Sequence, residues 1–169
     1  MSITVKLIVC CDKNYGIGYN NKLPWYIPED MKIFRNKTIG NKNNCVIMGR
    51  KSANSIPSKY FPLKDRYNCV LSRSLTSQEN VRIIKNEDEM LEFIYQGKYD
   101  TYWIIGGSEI YNLFLNKSYV DEIHISILKD SWNCDTYFDK NTLNQYVKIE
   151  ESEYELFNHY VFKKKKDCP

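Results

Sequence analysis

Asp30 and Phe34 stand four apart in Pro28-Glu-Asp-Met-Lys-Ile-Phe34, with Ile33 beside them. That spacing makes them neighbours on one helix face. A carboxylate at the rim of an apolar surface is costly unless a donor meets it, and such a site can tune it for proton chemistry. On this stretch alone the plainer reading is the stronger one: an acid in the first turn complements the helix dipole. Glu29 fits that role at least as well.

Three other groups suit anions. Gly49-Arg50-Lys51-Ser52 puts two cations and a hydroxyl just past an apolar run, and Leu71-Ser72-Arg73-Ser74 repeats the arrangement. Ile105-Gly106-Gly107-Ser108-Glu109 ends a third run in a glycine pair. A strand opening through glycines into a helix N-terminus offers backbone N–H groups to a phosphate with no Cβ in the way. Taken singly, a charged turn is more often merely solvated, and a glycine pair is weak. GxGxxG and GxxxxGK are both absent, which disfavours the two nucleotide folds they mark.

The elements that must position these groups follow from periodicity. Residues 3–11 form a near-continuous Val/Ile-rich run, the pattern of a strand buried on both faces. Such strands need helical crossovers, so an α/β fold with a mostly parallel sheet is expected. Helices are expected at 29–37, at 52–55 with Ser52 as cap, from Asn86 (with Glu89 three residues on) to Gly97, and after Gly107. Further strands are expected at 44–48, 67–71, 81–84, 102–105 and 120–128. Residues 146–149 and 156–162 read as a closing antiparallel pair, with Asn158-His159 between or beside them.

Composition excludes several classes. In 169 residues, 43% are hydrophobic and 27% charged, ordinary for a globular protein, and the net +3 resides in residues 163–169. The neutral remainder shows no nucleic-acid footprint. The six cysteines include no CxxC, and His124 and His159 are remote from each other, so neither a disulfide framework nor a zinc site is expected. Both histidines read as satisfied structural residues. Free thiols in strands and the short first apolar run favour a reducing, cytoplasmic location without a membrane span. Residues 163–166 read as a frayed basic tail, a localisation signal or linker junction being the less favoured readings.

Taken in order, Gly16-Ile-Gly18, Leu23-Pro-Trp25, Pro28-Glu-Asp30, Val46-Ile-Met-Gly-Arg50, Ser55-Ile56, Pro62-Leu63 with Arg66, Leu71-Ser72-Arg73, Ile104-Ile-Gly-Gly107 with Tyr111, and Asp135-Thr-Tyr-Phe138 resemble dihydrofolate reductase. The resemblance covers nearly the whole chain; each piece is weak, but their order and spacing together are specific. It implies a twisted, eight-stranded, mostly parallel sheet with an antiparallel C-terminal strand, flanked by about four helices. One domain would span 1–162, with an adenosine-binding lobe at 45–100 and a basic tail at 163–169. The implied activity is NADPH-dependent reduction of 7,8-dihydrofolate to 5,6,7,8-tetrahydrofolate. Hydride would go to C6 and a proton to N5, in support of thymidylate and one-carbon metabolism.

The resemblance also assigns roles. Asp30 would pair with the amino group and ring nitrogen of the pterin, Trp25 would fix a bridging water, and Ser126 would hydrogen-bond the carboxylate. Phe34 and Ile56 would sandwich the rings, Leu63 would line the benzoyl pocket, and Arg66 would take the glutamate carboxylate through its planar fork. Ile8 and Ile105 would offer carbonyls; Val9, Met31, Ser55 and Tyr111 complete the substrate set. Cys10 would present its backbone to the nicotinamide carboxamide, under a mobile loop at 12–23 that includes Ile17 and Gly18. Arg50, Lys51 and Ser52 would face the pyrophosphate and, with Ser72 and Arg73, the 2′-phosphate. Lys85, Gly106, Gly107 (joined by a cis peptide), Ser108, Glu109, Ile110, Tyr111 and Thr136 complete the cofactor set, and no metal is implied. Partners would be dihydrofolate and antifolate inhibitors, with no nucleic acid or membrane. A fused or associated thymidylate synthase would fit a longer chain.

Three departures from the family pattern stand out. Ala53 replaces a large aromatic, Ser126 a Thr, and Asp65 a Gly just before Arg66. None removes a reacting group. A pyrimidine reductase of riboflavin synthesis is the alternative on the same fold, and Asp30, Phe34 and Arg66 favour the pterin. A nucleic-acid-binding module using the lysine tail is a third reading, opposed by the neutral body.

Overall fold

The computed structural model describes residues 2–166. Val5–Cys11 forms β1, and its alternation divides the core: Val5, Leu7, Val9 and Cys11 enter one apolar cluster, while Ile8 enters another across the sheet. The remaining sheet strands are β3 (Cys45–Gly49), β4 (Tyr67–Leu71), β5 (Val81–Ile84), β6 (Tyr102–Gly106), β7 (Glu122–Leu128), β9 (Tyr146–Glu153) and β10 (Phe157–Lys164). Their spatial order is β5-β4-β3-β6-β1-β7-β10-β9. All neighbouring pairs from β5 to β7 are parallel, and β10 runs antiparallel to both β7 and β9. Leu7, Ile47, Ile104, Ile123 and Ile125 are fully buried in this sheet, and each such side chain contributes roughly 1.5–3 kcal/mol.

Among the described residues, four α-helices cover the two faces. From α3 (Glu87–Tyr95) and α4 (Ser108–Asn116), Met90, Phe93, Ile94, Ile110, Phe114 and Leu115 pack on one face. From α1 (Pro28–Ile39) and α2 (Arg50–Ser55), Phe34 and Ala53 pack on the other. Asn86 caps α3 by accepting from Glu89 N–H at 2.9 Å, while the Glu89 carboxylate reaches Lys85 N–H instead of closing the box on Asn86. Gly97, at φ +65°, follows that helix as the left-handed stop that favours glycine.

Four sequence expectations are corrected. Two short strands, β2 (Gly16–Gly18) and β8 (Thr136–Tyr137), pair antiparallel apart from the main sheet, and runs this brief carry no periodicity to read. Ser52 lies inside α2, which starts at Arg50 after Gly49, so it is not the cap. The last two strands turn at residues 154–156, and Asn158 and His159 pair with Glu153 and Ser152 within the hairpin. Lys163 and Lys164 are strand residues and not tail: Lys164 N–H donates to Asp121 O at 2.9 Å, and Lys165 N–H to Gln145 O at 3.0 Å. Of the expected tail, residues 167–169 lie outside the described residues.

Candidate active site

The chain leaves β1 for β3, skipping the place that β6 later fills, and after β6 crosses to the far side of β1 at β7. Connections that diverge in this way open a crevice beyond the carboxyl ends of the strands, where α/β sheets bind ligands. The start of α1, the glycine pair after β6 and the N-terminus of α2 all meet that edge.

Pro28 opens α1, its fixed φ suiting the first turn. Two residues on, Asp30 is half-buried and lies close to the Ser126 hydroxyl of β7 and the Cys10 thiol of β1, which both favour its ionised form. Burial pushes its carboxyl above the ordinary carboxylate value, and those two partners pull it part-way back. Trp25 is buried beside Cys10 and packs edge-on against Trp132 at 6.1 Å. The first-turn carboxylate is therefore not simply a solvated dipole partner: three sequence-expected residues and one strand thiol converge.

An apolar floor lies beside it. Phe34, Ile56, Leu63 and Ile105 are half-buried around Ile8 and Ala53 in one cluster. Met31 stands at the rim, 51% exposed. The Val9 side chain packs in the cluster across the sheet, leaving its backbone for this edge. Tyr111 is buried and donates its hydroxyl to Ile8 O at 2.9 Å, so that carbonyl already carries one bond. Ser55 is exposed and donates to Ser52 O at 2.7 Å. The Asn68 side chain clamps Leu63 by accepting from its N–H and donating to its carbonyl, both at 2.9 Å.

Asp65 takes the positive φ of +62° that its glycine-like position demands. It forms no ion pair with Arg66 among the described residues. Arg66 donates from Nε to Lys64 O at 2.8 Å and from Nη1 to Thr38 Oγ1 at 3.1 Å. Burial, then the nearby Arg35, bring its pKa down to about 10, with Asp65 opposing. The guanidinium remains cationic, and its orientation is fixed.

The anion rim is assembled from two helix starts. Gly106-Gly107 is joined by a cis peptide, with Gly106 at φ +120°, and α4 begins directly after it. A Cβ on Gly106 would lie 3.1 Å from the Tyr111 hydroxyl, and one on Gly107 3.4 Å from Ser52 Oγ. The glycine pair and α2 are thus in contact, with Arg50 and Lys51 exposed beside them. Ser108 is half-buried, Glu109 exposed, and Ile110 packs within 3.1 Å of the Cβ position of Gly49. Ser72 is buried, and its oxygen accepts from Ser74 N–H at 3.3 Å and Leu75 N–H at 3.1 Å, shaping the turn. Arg73 and Lys85 do reach solvent and line a groove of about 540 Å³ with Ser74, Ser77 and Arg82. Arg82 escaped the sequence reading, although its exposure between half-buried Val81 and Ile83 is the alternation of an edge strand.

Ile17, half-buried, and Gly18 lie on β2, and Thr136 on β8. Asp135 N–H donates to Gly18 O at 2.9 Å, Asn20 N–H to Asp135 Oδ2 at 3.1 Å, and the Thr136 hydroxyl to Asp135 Oδ1 at 2.9 Å. Beneath them the buried Asp12 accepts from Asn14, Gly16 and Trp132 N–H groups at 2.8–2.9 Å. Asp12 is a second residue the sequence did not disclose. A third group is Lys37 with His124 and His159: Lys37 Nζ donates to His124 Nδ1 at 2.8 Å and to His159 Nε2 at 2.9 Å. His159 Nδ1 lies 2.8 Å from Ser126 Oγ. Lone histidines in strands gave no sign that they would meet one lysine.

Among the described residues no helix is long and apolar enough to cross a membrane, and no cluster of His, Cys, Asp and Glu could hold a metal ion. The family model described as dihydrofolate reductase matches residues 4–165. The chain is 35% identical over 164 residues to "Dihydrofolate reductase" of Ureaplasma parvum, covering 96% of this chain and 99% of that protein. It is 33% identical over 162 residues to "Dihydrofolate reductase" of Heliothis virescens, covering 89% and 87%. It is also 38% identical over 146 residues to "Bifunctional dihydrofolate reductase-thymidylate synthase 2" of Arabidopsis thaliana, covering 79% of this chain and 26% of that one. The chain thus spans about a quarter of the length of the bifunctional relatives it matches.

Proposed function

This chain belongs to the dihydrofolate reductase family, and from that premise we propose that it reduces 7,8-dihydrofolate to tetrahydrofolate with NADPH. The observation that carries the reading is the half-buried Asp30 carboxylate, beside Ser126 and Cys10 at the edge of the Phe34, Ile56 and Leu63 floor. An ionised carboxylate offers two oxygens to the amidine-like edge of a pterin, and charge assistance strengthens both bonds. A pterin seated there would bind its ring between Phe34 and Ile56 and leave its benzoyl group against Leu63. Its glutamate tail would meet the fixed guanidinium of Arg66. Asp30 holds and polarises the ring; the proton for N5 comes by water, with Trp25 as the ordering side chain.

The residues present fit a dinucleotide phosphate cofactor. Two helix N-termini meet at a glycine pair where added Cβ atoms would collide with Tyr111 or press on Ser52, and Arg73, Arg82 and Lys85 line the groove beyond. NADPH, when bound, supplies the hydride. Arg50, Lys51 and the α4 amides would neutralise its pyrophosphate, and Arg73 with Arg82 or Lys85 its 2′-phosphate. Antifolates would compete at the Asp30 cleft. We place the reaction in the cytoplasm, consistent with free Cys10, Cys11, Cys45, Cys69 and Cys134. In a longer chain, a thymidylate synthase would consume the folate product. The test is absorbance at the reduced-nicotinamide band with dihydrofolate, comparing NADPH with NADH. Oxidation of NADPH in strong preference is expected; no turnover with either cofactor would refute the assignment.

A further inference from the structure

Behind Asp30 runs a row of hydrogen-bonding groups that pterin binding does not use directly. Lys37 follows Asp30 by seven residues on α1, nearly two full turns, and so shares its face. His124 and Ser126 are two apart on β7 and share a face of the sheet, and His159 is the cross-strand partner of Ser126 on β10. The three basic side chains therefore meet in one place, directly behind the serine that touches the carboxylate.

The chemistry of the donors sets the direction of every bond. An ammonium has protons and no lone pair, so Lys37 donates to both rings. A neutral imidazole that accepts at one nitrogen carries its proton at the other. His159 therefore bears its proton on Nδ1, which faces Ser126 Oγ. The serine oxygen accepts that proton's bond and is left to donate its own hydrogen to Asp30. His124 bears its proton on Nε2 and donates it to Glu122 Oε1 at 2.9 Å. Burial and the charge of Lys37 keep both rings neutral, holding His159 down at about 3 and His124 at about 4.

We propose that Lys37 and His159 are positioning residues: Lys37 selects the His159 tautomer, and His159 thereby aims the Ser126 hydroxyl at Asp30. The kinetic consequence rests on the reductase reading; the tautomers do not. A donor aimed at the ionised form of an acid lowers its pKa, so the row opposes the rise that burial imposes on the pterin-binding carboxylate. Cys10 of β1 is the thiol nearest Asp30, while Cys11 of β1 and Tyr111 of α4 lie across the sheet and couple to it only electrostatically. Lys6, Glu122 and Glu150 face Lys37. None of them stands between Lys37 and Ser126.

The chain has two histidines, so the imidazole ¹⁵N spectrum of the intact protein is readily assigned. At pH 7 His159 is expected to be protonated on Nδ1 and His124 on Nε2, and Lys37→Met is expected to release His159 from its fixed form. His159 found protonated on Nε2, or on both nitrogens, would overturn the proposal. A second measurement is the pH profile of turnover with NADPH and dihydrofolate. His159→Gln keeps a group where Nε2 stood but lacks the donor to Ser126, and should raise the Asp30-dependent midpoint by roughly one pH unit. His159→Asn restores a donor near Nδ1 and should limit the rise to about a third of that. Equal rises in both variants would also overturn the proposal. Expected tautomers without any turnover would support the donor row while sinking the reductase reading.

Discussion

The Tyr111 hydroxyl donates to the Ile8 carbonyl at 2.9 Å, tying the first turn of α4 to the strand that floors the Asp30 cleft. The same hydroxyl sits 3.1 Å from where a Cβ on Gly106 would lie, so one side chain braces both halves of the site. Tyr111→Phe removes the bond and keeps the ring. Urea denaturation should show a loss of about 1 kcal/mol, the net worth of a buried neutral hydrogen bond. Unchanged stability would mean that the bond carries none of the fold.

Acid should undo the protein through its histidines. Burial first, then Lys37, holds His124 at about 4 and His159 at about 3, below the ordinary 6.5. An unfolded chain binds those protons earlier, so their share of stability is complete above about pH 6.5 and is lost as pH falls through 4 and 3. A tenfold difference in proton affinity between the folded and unfolded chain corresponds to about 1.4 kcal/mol, and partial solvent screening reduces that. Between pH 7 and 4 a loss on the order of 2 kcal/mol is expected from this pair. Urea midpoints of the wild type should fall more steeply over that range than those of His124→Phe/His159→Phe. Parallel slopes would contradict it.

Arg66 has one face committed to Lys64 O and Thr38 Oγ1. Lysine keeps the charge but loses the fork. Arg66→Lys should raise KM for dihydrofolate about tenfold, equivalent to about 1.4 kcal/mol, and leave KM for a pterin lacking the glutamate unchanged. A similar rise for both substrates would place the tail elsewhere.

Cofactor choice should follow Arg73 and Arg82, which face one groove. Arg73→Ala should erode the preference for NADPH over NADH by about tenfold, near 1.4 kcal/mol per lost charged contact. Adding Arg82→Ala should erode it further. Steady-state kcat/KM ratios check this, and an unchanged ratio in the double variant would move the 2′-phosphate out of the groove.

Much of this was legible in the sequence because short, mostly apolar runs between turn residues report their own burial. The strands at 67–71 and 81–84 were read with their observed bounds. Four-residue spacing put Asp30 and Phe34 on one face, but the role of the carboxylate came only with the family resemblance that the ordered motifs carry. Lys37 and His159 lie 122 residues apart, and only the β7–β10 register brings them to 2.9 Å. The second use of Ser72 was not legible: its oxygen accepts from backbone N–H groups two and three residues on, a local turn that a hydroxyl beside an arginine does not announce. Lys163 and Lys164 look like a tail by composition, yet both pair in the sheet between β7 and β9, with Lys164 N–H donating to Asp121 O.

Asp30→Asn tests the central claim most directly. Burial raises the Asp30 pKa, so ionising it favours the unfolded chain, and its contribution to folding fades as pH rises through the folded value. The variant should therefore be at least as stable as the wild type at pH 7. Its turnover of dihydrofolate with NADPH should fall roughly 10²–10⁴-fold, the scale of a lost acid–base group. A folded Asp30→Asn protein turning over at the wild-type rate at pH 7 would contradict the account.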